Sequence, residues 1–538
     1  MKKLLSLIGA AGVIMSTTLP VIACTNSKVS LAMSKTVDYL NDMIENHFSS
    51  GYAVEIAKNG KTLFTYDNGY KDYGNAVVMQ HDTLFKTMSM TKPLTAAAFL
   101  MLWNHFKTFM NIDGAKETLS LKTNVKAMWT EWDRKNLVVK DGHNTTPLVR
   151  DITLFDVLTM TSGIDYMGVG NLMTGGGWSF IRDWKNKKIG MNEFAKTLAK
   201  LPLVSEPGEK WHYGFNLDLL AAMGNYILDT NQWTPTTAAV KAQQAAGADL
   251  WECWIQEAIL NPLNMHDSYY GMPLNEATVL NTLAHPTYSW RSDVKGFTPS
   301  PDGDNQIADV YNEKDPNYAG GNVLLEDKKL PQSAFLLGSY PGKIKETEKF
   351  GGLIGISKIN NLIANLGWQS PLTTYQPCSM GGNALITTAS DYVKFQNFML
   401  TGLDATGTPI IPYVSDASGE GDETRQGPEG LWSIQDMVKN RLTPEQLQIA
   451  YQNNDLDQGI GYGWGINNKI TNDGDLNTNI GTYGWNGMLG SLSLMDPNEN
   501  LAITVMTNST TISSDVNHNI FNTIYYDLRK DGIIADYH

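Results

Sequence analysis

One tetrapeptide in this chain places a nucleophile and a base at a spacing that could do chemistry: Ser-Met-Thr-Lys at residues 89–92. On a helix, residues i and i+3 share a face, so the Lys92 amine can lie beside the Ser89 hydroxyl. Serine is a weak nucleophile that needs an adjacent base, and a lysine serves when burial or neighbouring charge lowers its pKa. Pro93 and the apolar run from Leu94 predict a helix that begins here, which would leave the Ser89 N–H free to bind an oxyanion.

A second serine–lysine pair with the same spacing, Ser292 and Lys295, occurs in the chain, so the motif alone does not identify a nucleophile. It lies in a stretch rich in Pro, Asp, Asn and Gly, and no apolar helix follows it. Context therefore makes Ser89 the candidate nucleophile.

Other chemistries lack the residues that they require. The three cysteines form no Cys-x-x-Cys pair and no His-Glu-x-x-His occurs, so zinc has no ligand set. The Asp-Gly-Asp triplets at 302–304 and 473–475 lack the remaining ligands of a calcium loop. No Gly-x-Ser-x-Gly elbow and no glycine-rich phosphate loop is present. We expect no metal and no cofactor.

The segment around Ser89, KTMSMTKPLTAAAFLML, resembles the nucleophile segment of the serine hydrolase family that includes class C β-lactamases, penicillin-binding D-Ala-D-Ala peptidases and related esterases. Further blocks follow in that family's order: ITLFDVLTMTSGI, PGEKWHYGF, NPLNMHDS and GGNALITTASDYVKF. The resemblance implies that Ser89 is the acylated nucleophile and that Lys92 is its proton partner.

Tyr213 matches the tyrosine of the family's Tyr-x-Asn motif, which implies a role as general base or proton relay. The chain departs from this motif, because Phe215 stands where asparagine is expected and Asn216 follows one position late. In the family the asparagine contacts the amide of the β-lactam or peptide, so that contact is in question and Asn216 is the candidate substrate-binding residue. The alternative interpretation of Tyr213 is a core tyrosine beside Trp211.

The family's third motif, Lys-Thr-Gly or His-x-Gly, falls on residues 485–487. Gly487 would let the backbone approach a ligand, and the resemblance implies that the N–H of Met488 completes an oxyanion hole with that of Ser89. Trp485 offers an apolar wall and an indole N–H but no cation for a substrate carboxylate. Esterase-like members also carry tryptophan here. Trp485 and Gly487 are thus candidate substrate-binding residues, the alternative for Trp485 being packing on an edge strand.

The elements that must position these residues change in character along the chain. A helix is predicted at 37–46, and two strands joined by an Asn-Gly turn at 52–66. Helical patterns dominate 84–254, strands return at 489–506, and a helix closes the chain at about 515–528. We predict an α/β fold with an antiparallel sheet built from N- and C-terminal strands, flanked by helices and carrying an inserted, mostly helical subdomain.

The predicted hydrolase domain covers residues 35–530. Two stretches have loop-like compositions and are expected to be surface insertions, near 286–341 and 412–430. They account for part of the chain's length without adding a domain.

The first 24 residues predict where the protein is located. Lys2 and Lys3 precede an apolar run, and the tetrad that ends at Cys24 resembles the lipobox of bacterial lipoproteins. Residues 1–23 are then a signal peptide, Cys24 is the lipidated residue, and 24–34 form a linker. The protein would be exported and held by its lipid on the outer face of the bacterial cytoplasmic membrane.

The charge and the composition of the chain restrict the classes of molecule that it can bind. The 538 residues carry 41 basic and 55 acidic side chains, a formal net charge of −14, which excludes nucleic acid because phosphate binding needs a basic face. The same charge disfavours an anionic substrate. An apolar fraction of 42% excludes a disordered chain.

The sequence therefore predicts a serine hydrolase that acts on small esters or amides, with an esterase favoured because the carboxylate-reading and amide-reading positions are both altered. A β-lactamase or D-Ala-D-Ala carboxypeptidase is the alternative within the family. A surface-binding lipoprotein on a decayed hydrolase scaffold is the alternative of another class.

Overall fold

The computed structural model describes residues 33–45, 48–72, 76–141, 144–166, 190–271, 282–284, 287–290, 322–325, 328–331, 352–355, 380–412, 432–447, 458–463, 465–467, 478–487, 489–509 and 514–535. The predicted signal peptide, Cys24, the pair Ser292 and Lys295, residues 413–430 and Met488 lie outside these ranges.

Nineteen strands are described. They are β1 (Gly51–Lys58), β2 (Lys61–Asp72), β3 (Val77–Val78), β4 (Phe85–Lys86), β5 (Thr108–Met110), β6 (Lys116–Thr118), β7 (Val138–Asp141), β8 (Asn144–Pro147), β9 (Tyr269–Tyr270), β10 (Thr287–Trp290), β11 (Asn322–Leu325), β12 (Lys328–Pro331), β13 (Gly352–Gly355), β14 (Leu385–Thr387), β15 (Gln458–Ile460), β16 (Gly465–Asn467), β17 (Tyr483–Gly484), β18 (Leu492–Asp496) and β19 (Leu501–Thr507).

The described α-helices are α1 (Ser34–Glu45), α2 (Thr91–His105), α3 (Leu154–Leu158), α4 (Met191–Leu198), α5 (Asn216–Thr230), α6 (Ala238–Ala245), α7 (Leu250–Ile255), α8 (Ala389–Thr401), α9 (Ile434–Val438), α10 (Pro444–Leu447) and α11 (Ser514–Lys530). A π-helical turn at Gln256–Leu260 extends α7, and 3₁₀ turns occur at Met88–Met90, Val125–Ala127 and Thr130–Trp132.

An antiparallel eight-stranded sheet joins the two ends of the chain, in the order β15-β16-β17-β18-β19-β1-β2-β3. The first strand pairs with the last along its whole length, from Tyr52 opposite Thr507 to Lys58 opposite Leu501. The turn between β1 and β2 has positive φ at both Asn59 and Gly60, as the predicted Asn-Gly hairpin requires. The predicted fold class is confirmed.

Both faces of this sheet are covered. Successive residues of β1 point to opposite faces, so Val54 and Ile56 join an apolar cluster with α1 and α11 while Ala53 and Ala57 face the larger core on the other side. That larger core contains α2, α5 and α8, the helices nearest the candidate motifs.

The predicted elements are confirmed in kind and shifted at their ends. The helix expected at 37–46 begins three residues earlier, and the helix expected after Ser89 begins at Thr91, with Ser89 in the preceding 3₁₀ turn. The stretch 286–341, expected to be loop-like, contains β10, β11 and β12. Two-stranded ribbons of four residues are too short to leave a periodic signal, which explains the error.

Within the described part of the chain, no helix combines the length and the apolar character needed to cross a bilayer.

The buried side-chain amide of Gln396 connects helix α8 to the sheet by hydrogen bonds. Its Nε2 donates to the carbonyls of Leu494 and Ile503 at 3.2 and 2.8 Å, and its Oε1 accepts from Thr504 Oγ1 at 2.6 Å. These bonds join α8 to β18 and β19.

We expect Gln396→Leu to lower the free energy of unfolding by about 1–3 kcal/mol, because it leaves the Thr504 hydroxyl and two carbonyls without this partner. Urea unfolding followed by circular dichroism measures the change, with Gln244→Leu on the surface helix α6 as the matched control. Equal stability of the two variants would contradict this role for Gln396.

Candidate active site

The nucleophile segment is held against β14 by backbone pairing and threonine hydroxyls. Strand β4 pairs with β14, and the Thr87 N–H and hydroxyl both donate to the Leu385 carbonyl, at 3.1 and 3.0 Å. The Leu385 N–H in turn donates to Thr91 Oγ1 at 3.1 Å. The 3₁₀ turn that carries Ser89 therefore lies between two anchored threonines.

The residue before the nucleophile adopts a strained conformation. Met88 is buried and has a φ of 50°, in the left-handed region that an L side chain rarely occupies. Such a conformation costs on the order of 1–3 kcal/mol and persists where the surroundings enforce it. Met88 lies between Thr87 and Thr91, which are both bonded to Leu385.

Lys92 lies in the first turn of α2 and is completely buried. Its Nζ donates to Ser89 Oγ at 3.1 Å, to Tyr166 Oη at 3.0 Å and to the Gly382 carbonyl at 3.2 Å. An ammonium group has three N–H donors, and these three oxygens satisfy all of them.

Tyr213 completes the contacts of the nucleophile. Its hydroxyl forms a short hydrogen bond with Ser89 Oγ, and the Lys92 Nζ lies 4.7 Å from the centre of its ring. Trp485 stacks on the same ring, with centroids 5.8 Å apart, and directs its indole N–H to Tyr213 Oη at 3.4 Å. A cation and an N–H donor thus both contact the phenol of Tyr213.

Two loops bring the tyrosines together. The segment after α3 pairs with the segment before α5 through Gly208 N–H to Thr161 O at 2.7 Å and His212 N–H to Met160 O at 2.9 Å. The Tyr166 N–H donates to the Tyr213 carbonyl at 3.3 Å. The blocks ITLFDVLTMTSGI and PGEKWHYGF therefore form one wall of the site.

Burial sets the electrostatics behind this wall. It raises the pKa of Tyr166 well above its usual value, and the nearby Asp218 and Tyr213 add to the rise. Burial also raises the pKa of Asp218 to about 6, against an opposing effect of Lys92. Tyr166 is therefore a neutral phenol that serves Lys92 as a hydrogen-bond partner.

The structure corrects the expectation for Asn216. The residue is completely buried at the start of α5, where its Nδ2 donates to the carbonyls of Ile164 and His212 at 3.3 and 3.4 Å and its Oδ1 accepts from the Ser162 hydroxyl. With both side-chain atoms bonded inside the protein, Asn216 joins the two loops and does not face a substrate. Phe215 is also buried, with its ring 4.6 Å from that of Tyr166.

Gly487 lies where the third motif meets the nucleophile segment. A Cβ at this position would be 2.4 Å from the Thr87 carbonyl oxygen, a distance that real side chains do not show. Glycine is required for this close approach of two backbones. Met488, the predicted second oxyanion donor, lies outside the described residues.

The site contains three residues that sequence reasoning did not identify: Tyr166, Asp218 and Gly382. Tyr166 follows the block ITLFDVLTMTSGI by two positions, and Asp218 is a lone carboxylate within the apolar run LDLLAAM. The one signal in the sequence that could have identified Asp218 is a carboxylate at the start of an apolar helix, where charged side chains are rare. Gly382 acts through its backbone, which leaves no signal in residue type.

This geometry suits acyl transfer through serine. Ser89 Oγ receives hydrogen bonds from both Lys92 and Tyr213, the partners that would exchange its proton. Trp485 adds an apolar surface beside them. The structure thus brings Ser89, Lys92, Tyr213 and Trp485 into one site.

We expect Tyr213→Phe to slow phosphonylation of Ser89 about 10²–10⁴-fold, since it removes a group within proton-transfer distance of the nucleophile. Tyr166→Phe, the matched control, removes one acceptor of Lys92 and is expected to cost about tenfold. The rates are measured with a fluorophosphonate probe and mass spectrometry. Equal effects of the two substitutions would contradict the separate roles of the two tyrosines.

The sequence profile of the Beta-lactamase family matches residues 38–224 and 237–524. Protein Rv1367c of Mycobacterium tuberculosis is 23% identical over 466 residues, 84% of each chain. Esterase EstB of Burkholderia gladioli is 30% identical over 208 residues, 38% of this chain and 46% of EstB. The solved structure titled EstCE1, a hydrolase with promiscuous acyltransferase activity, covers 92% of this chain and 99% of its own, with a TM-score of 0.57 and 16% identity. The chain belongs to the beta-lactamase family.

Proposed function

We propose that this protein is an esterase, a serine hydrolase that forms an acyl-enzyme on Ser89 with small uncharged esters. One observation carries the proposal: the buried Lys92 and the Trp485-bonded Tyr213 both hydrogen bond to Ser89 Oγ. The esterase named among the relatives supports this choice within the family.

The reaction begins with a proton transfer from Ser89. In the resting arrangement both Lys92 and Tyr213 donate to Ser89 Oγ, so one of them must give up a proton before it can accept the proton of the serine. Ser89 Oγ then bonds to the ester carbonyl carbon, the bond to the leaving oxygen breaks, and the leaving alcohol takes the proton. Water repeats the sequence and releases the acid.

The surroundings favour an uncharged substrate. Trp485 occupies the position at which other family members place a carboxylate-binding lysine, and an indole supplies no positive charge. Lys92 is already bonded to three oxygens, and the net charge of −14 repels anions. Both features oppose a carboxylate-bearing β-lactam or peptide.

Two alternatives predict different outcomes. A β-lactamase or D-Ala-D-Ala carboxypeptidase would turn over nitrocefin or a D-Ala-D-Ala peptide faster than esters. A decayed surface-binding protein would not be acylated at Ser89 at all.

We expect the wild-type protein to hydrolyse p-nitrophenyl acetate and butyrate, and Ser89→Ala to reduce the rate by about 10³-fold or more because the nucleophile is gone. Ser292→Ala, in the other serine–lysine pair, is the matched control and should retain full activity. Release of p-nitrophenol measures the rate, and intact mass identifies the acyl-enzyme. Nitrocefin turnover without ester turnover would overturn the esterase proposal.

We further propose that the protein is a lipoprotein anchored through Cys24 to the outer face of the bacterial cytoplasmic membrane. The support is the sequence of residues 1–24, in which a basic start, an apolar run and a small-residue tetrad end at the cysteine. Its ester substrate would then be met outside the cell.

We expect Cys24→Ser to abolish incorporation of an alkynyl fatty acid and to release the protein from the membrane fraction, since the thiol that carries the lipid is lost. Cys378→Ser is the matched control and should remain labelled. In-gel fluorescence after expression in a bacterial host measures the labelling. Persistent labelling of the Cys24→Ser protein would disprove the anchor.

A further inference from the structure

We propose that Asp218 is a positioning residue: its carboxylate holds Gly382, and with it the buried Lys92 Nζ, in place beside Ser89 Oγ. The inference rests on the proposed acyl-enzyme at Ser89 and adds to it the residue that positions Lys92.

Asp218 and Lys92 are linked through a single residue, Gly382. Asp218 lies in the first turn of α5 and is completely buried, and its Oδ1 accepts from the Gly382 N–H at 2.9 Å. The carbonyl of the same glycine accepts from Lys92 Nζ at 3.2 Å. The carboxylate and the amine therefore hold opposite ends of one residue.

Gly382 permits this arrangement because it has no side chain. A Cβ there would lie 2.7 Å from Asp218 Oδ2 and 3.0 Å from Tyr166 Oη. The carboxylate, the phenol and the amine all contact this glycine or its surroundings, and Lys92 interacts electrostatically with the Asp218 carboxylate.

The bonding of Asp218 differs from that of an aspartate with a structural role. Asp391 is equally buried, yet it accepts hydrogen bonds from Asp267 N–H, the Ser268 hydroxyl and Lys394 Nζ. In contrast, Asp218 Oδ2 is buried and has no hydrogen-bond partner among the described residues. Asp218 therefore lacks the set of hydrogen bonds through which Asp391 stabilises the fold.

Within the described part of the chain, four groups face the Asp218 carboxylate from the elements around it. Lys92 of α2 is the cation, Gly382 N–H is a donor, and the hydroxyls of Tyr166 and of Tyr270 on β9 are neutral. The phenols do not change charge in the physiological range, because burial raises the pKa of both. Lys92 is thus the charge that the Asp218 carboxylate balances.

The charge of Asp218 sets the strength of this link. An ionised carboxylate attracts Lys92 and accepts the hydrogen bond of the Gly382 N–H more strongly than a neutral carboxyl does. Since burial raises the pKa of Asp218 to about 6, the link weakens at mildly acidic pH.

The test is the pH dependence of kcat/KM for p-nitrophenyl acetate in the wild type and in Asp218→Asn. We expect the wild type to lose activity as pH falls through about 6, where the carboxylate takes up a proton. Asp218→Asn keeps the size of the side chain and an acceptor for Gly382 but has no charge. It should be about tenfold or more slower at pH 7.5 and should lack this acid limb.

Thermal unfolding separates a charge role from a structural one. A carboxyl with a raised pKa stabilises the fold at low pH and loses that contribution as pH rises through about 6. At pH 7.5 the Asp218→Asn substitution removes both the cost of burying the carboxylate and the counter-charge of Lys92, two effects of opposite sign, so the unfolding temperature should change less than in Asp391→Asn. Asp391→Asn, the matched buried control, should unfold at a lower temperature and keep the acid limb.

His212 needs its own control because it precedes Tyr213 and is a titratable group whose pKa is lowered by burial. The His212→Gln protein should keep the acid limb of the pH profile. The Asp218→Glu protein, which retains the negative charge, should show part of the acid limb that Asp218→Asn lacks. A profile of Asp218→Asn that superimposes on the wild type overturns the inference and leaves the esterase proposal standing, as does loss of activity in parallel with loss of folding. A wild type that neither turns over esters nor labels at Ser89 overturns both.

Discussion

The buried ammonium of Lys92 is the interaction on which the rest of the site depends. Its Nζ donates hydrogen bonds to three segments that are far apart in the chain: the 3₁₀ turn of Ser89, the loop of Tyr166 and the Gly382 turn before β14. A charge removed from water is tolerated only when its donors are satisfied and an opposite charge is near. Each of the three segments must therefore be held to within a few tenths of an ångström, and much of the local architecture does this.

The fold supplies that precision through short, redundant ties. Thr87 and Thr91 fix the turn of Ser89 to Leu385 of β14, and the Gly382 N–H donates to Asp218 Oδ1. The long sheet provides a rigid base, because β1 pairs with β19 over seven residues and is buried on both faces. The positive φ of Met88 is stable only in such a frame, so rigidity and strain at the nucleophile have the same origin.

The serine–lysine pair, the Asn-Gly hairpin and the helix after Ser89 follow from spacing within a few residues. The pattern of strands also predicted the sheet that joins the two ends of the chain, and the family resemblance predicted Tyr213 and Trp485, but other distant residues of the site were missed. Tyr166 and Gly382 reach Lys92 across 74 and 290 residues, and no local pattern encodes such contacts. The prediction that Asn216 binds substrate was wrong for a related reason. A position next to a motif does not determine the direction of a side chain, and the first turn of α5 directs the side chain of Asn216 into the protein.

The departures from the family motifs are matched by compensating contacts, which argues against a decayed scaffold. Phe215 fills the core against the ring of Tyr166, and Trp485 stacks on Tyr213 and donates to its hydroxyl. Losing function would also remove the need for features that destabilise the fold. A buried lysine, a buried carboxylate and a strained Met88 each lower stability, and mutation readily replaces such groups once activity no longer maintains them. All three lie within one site around Ser89, as expected for a protein in which proton transfer at that serine is still under selection.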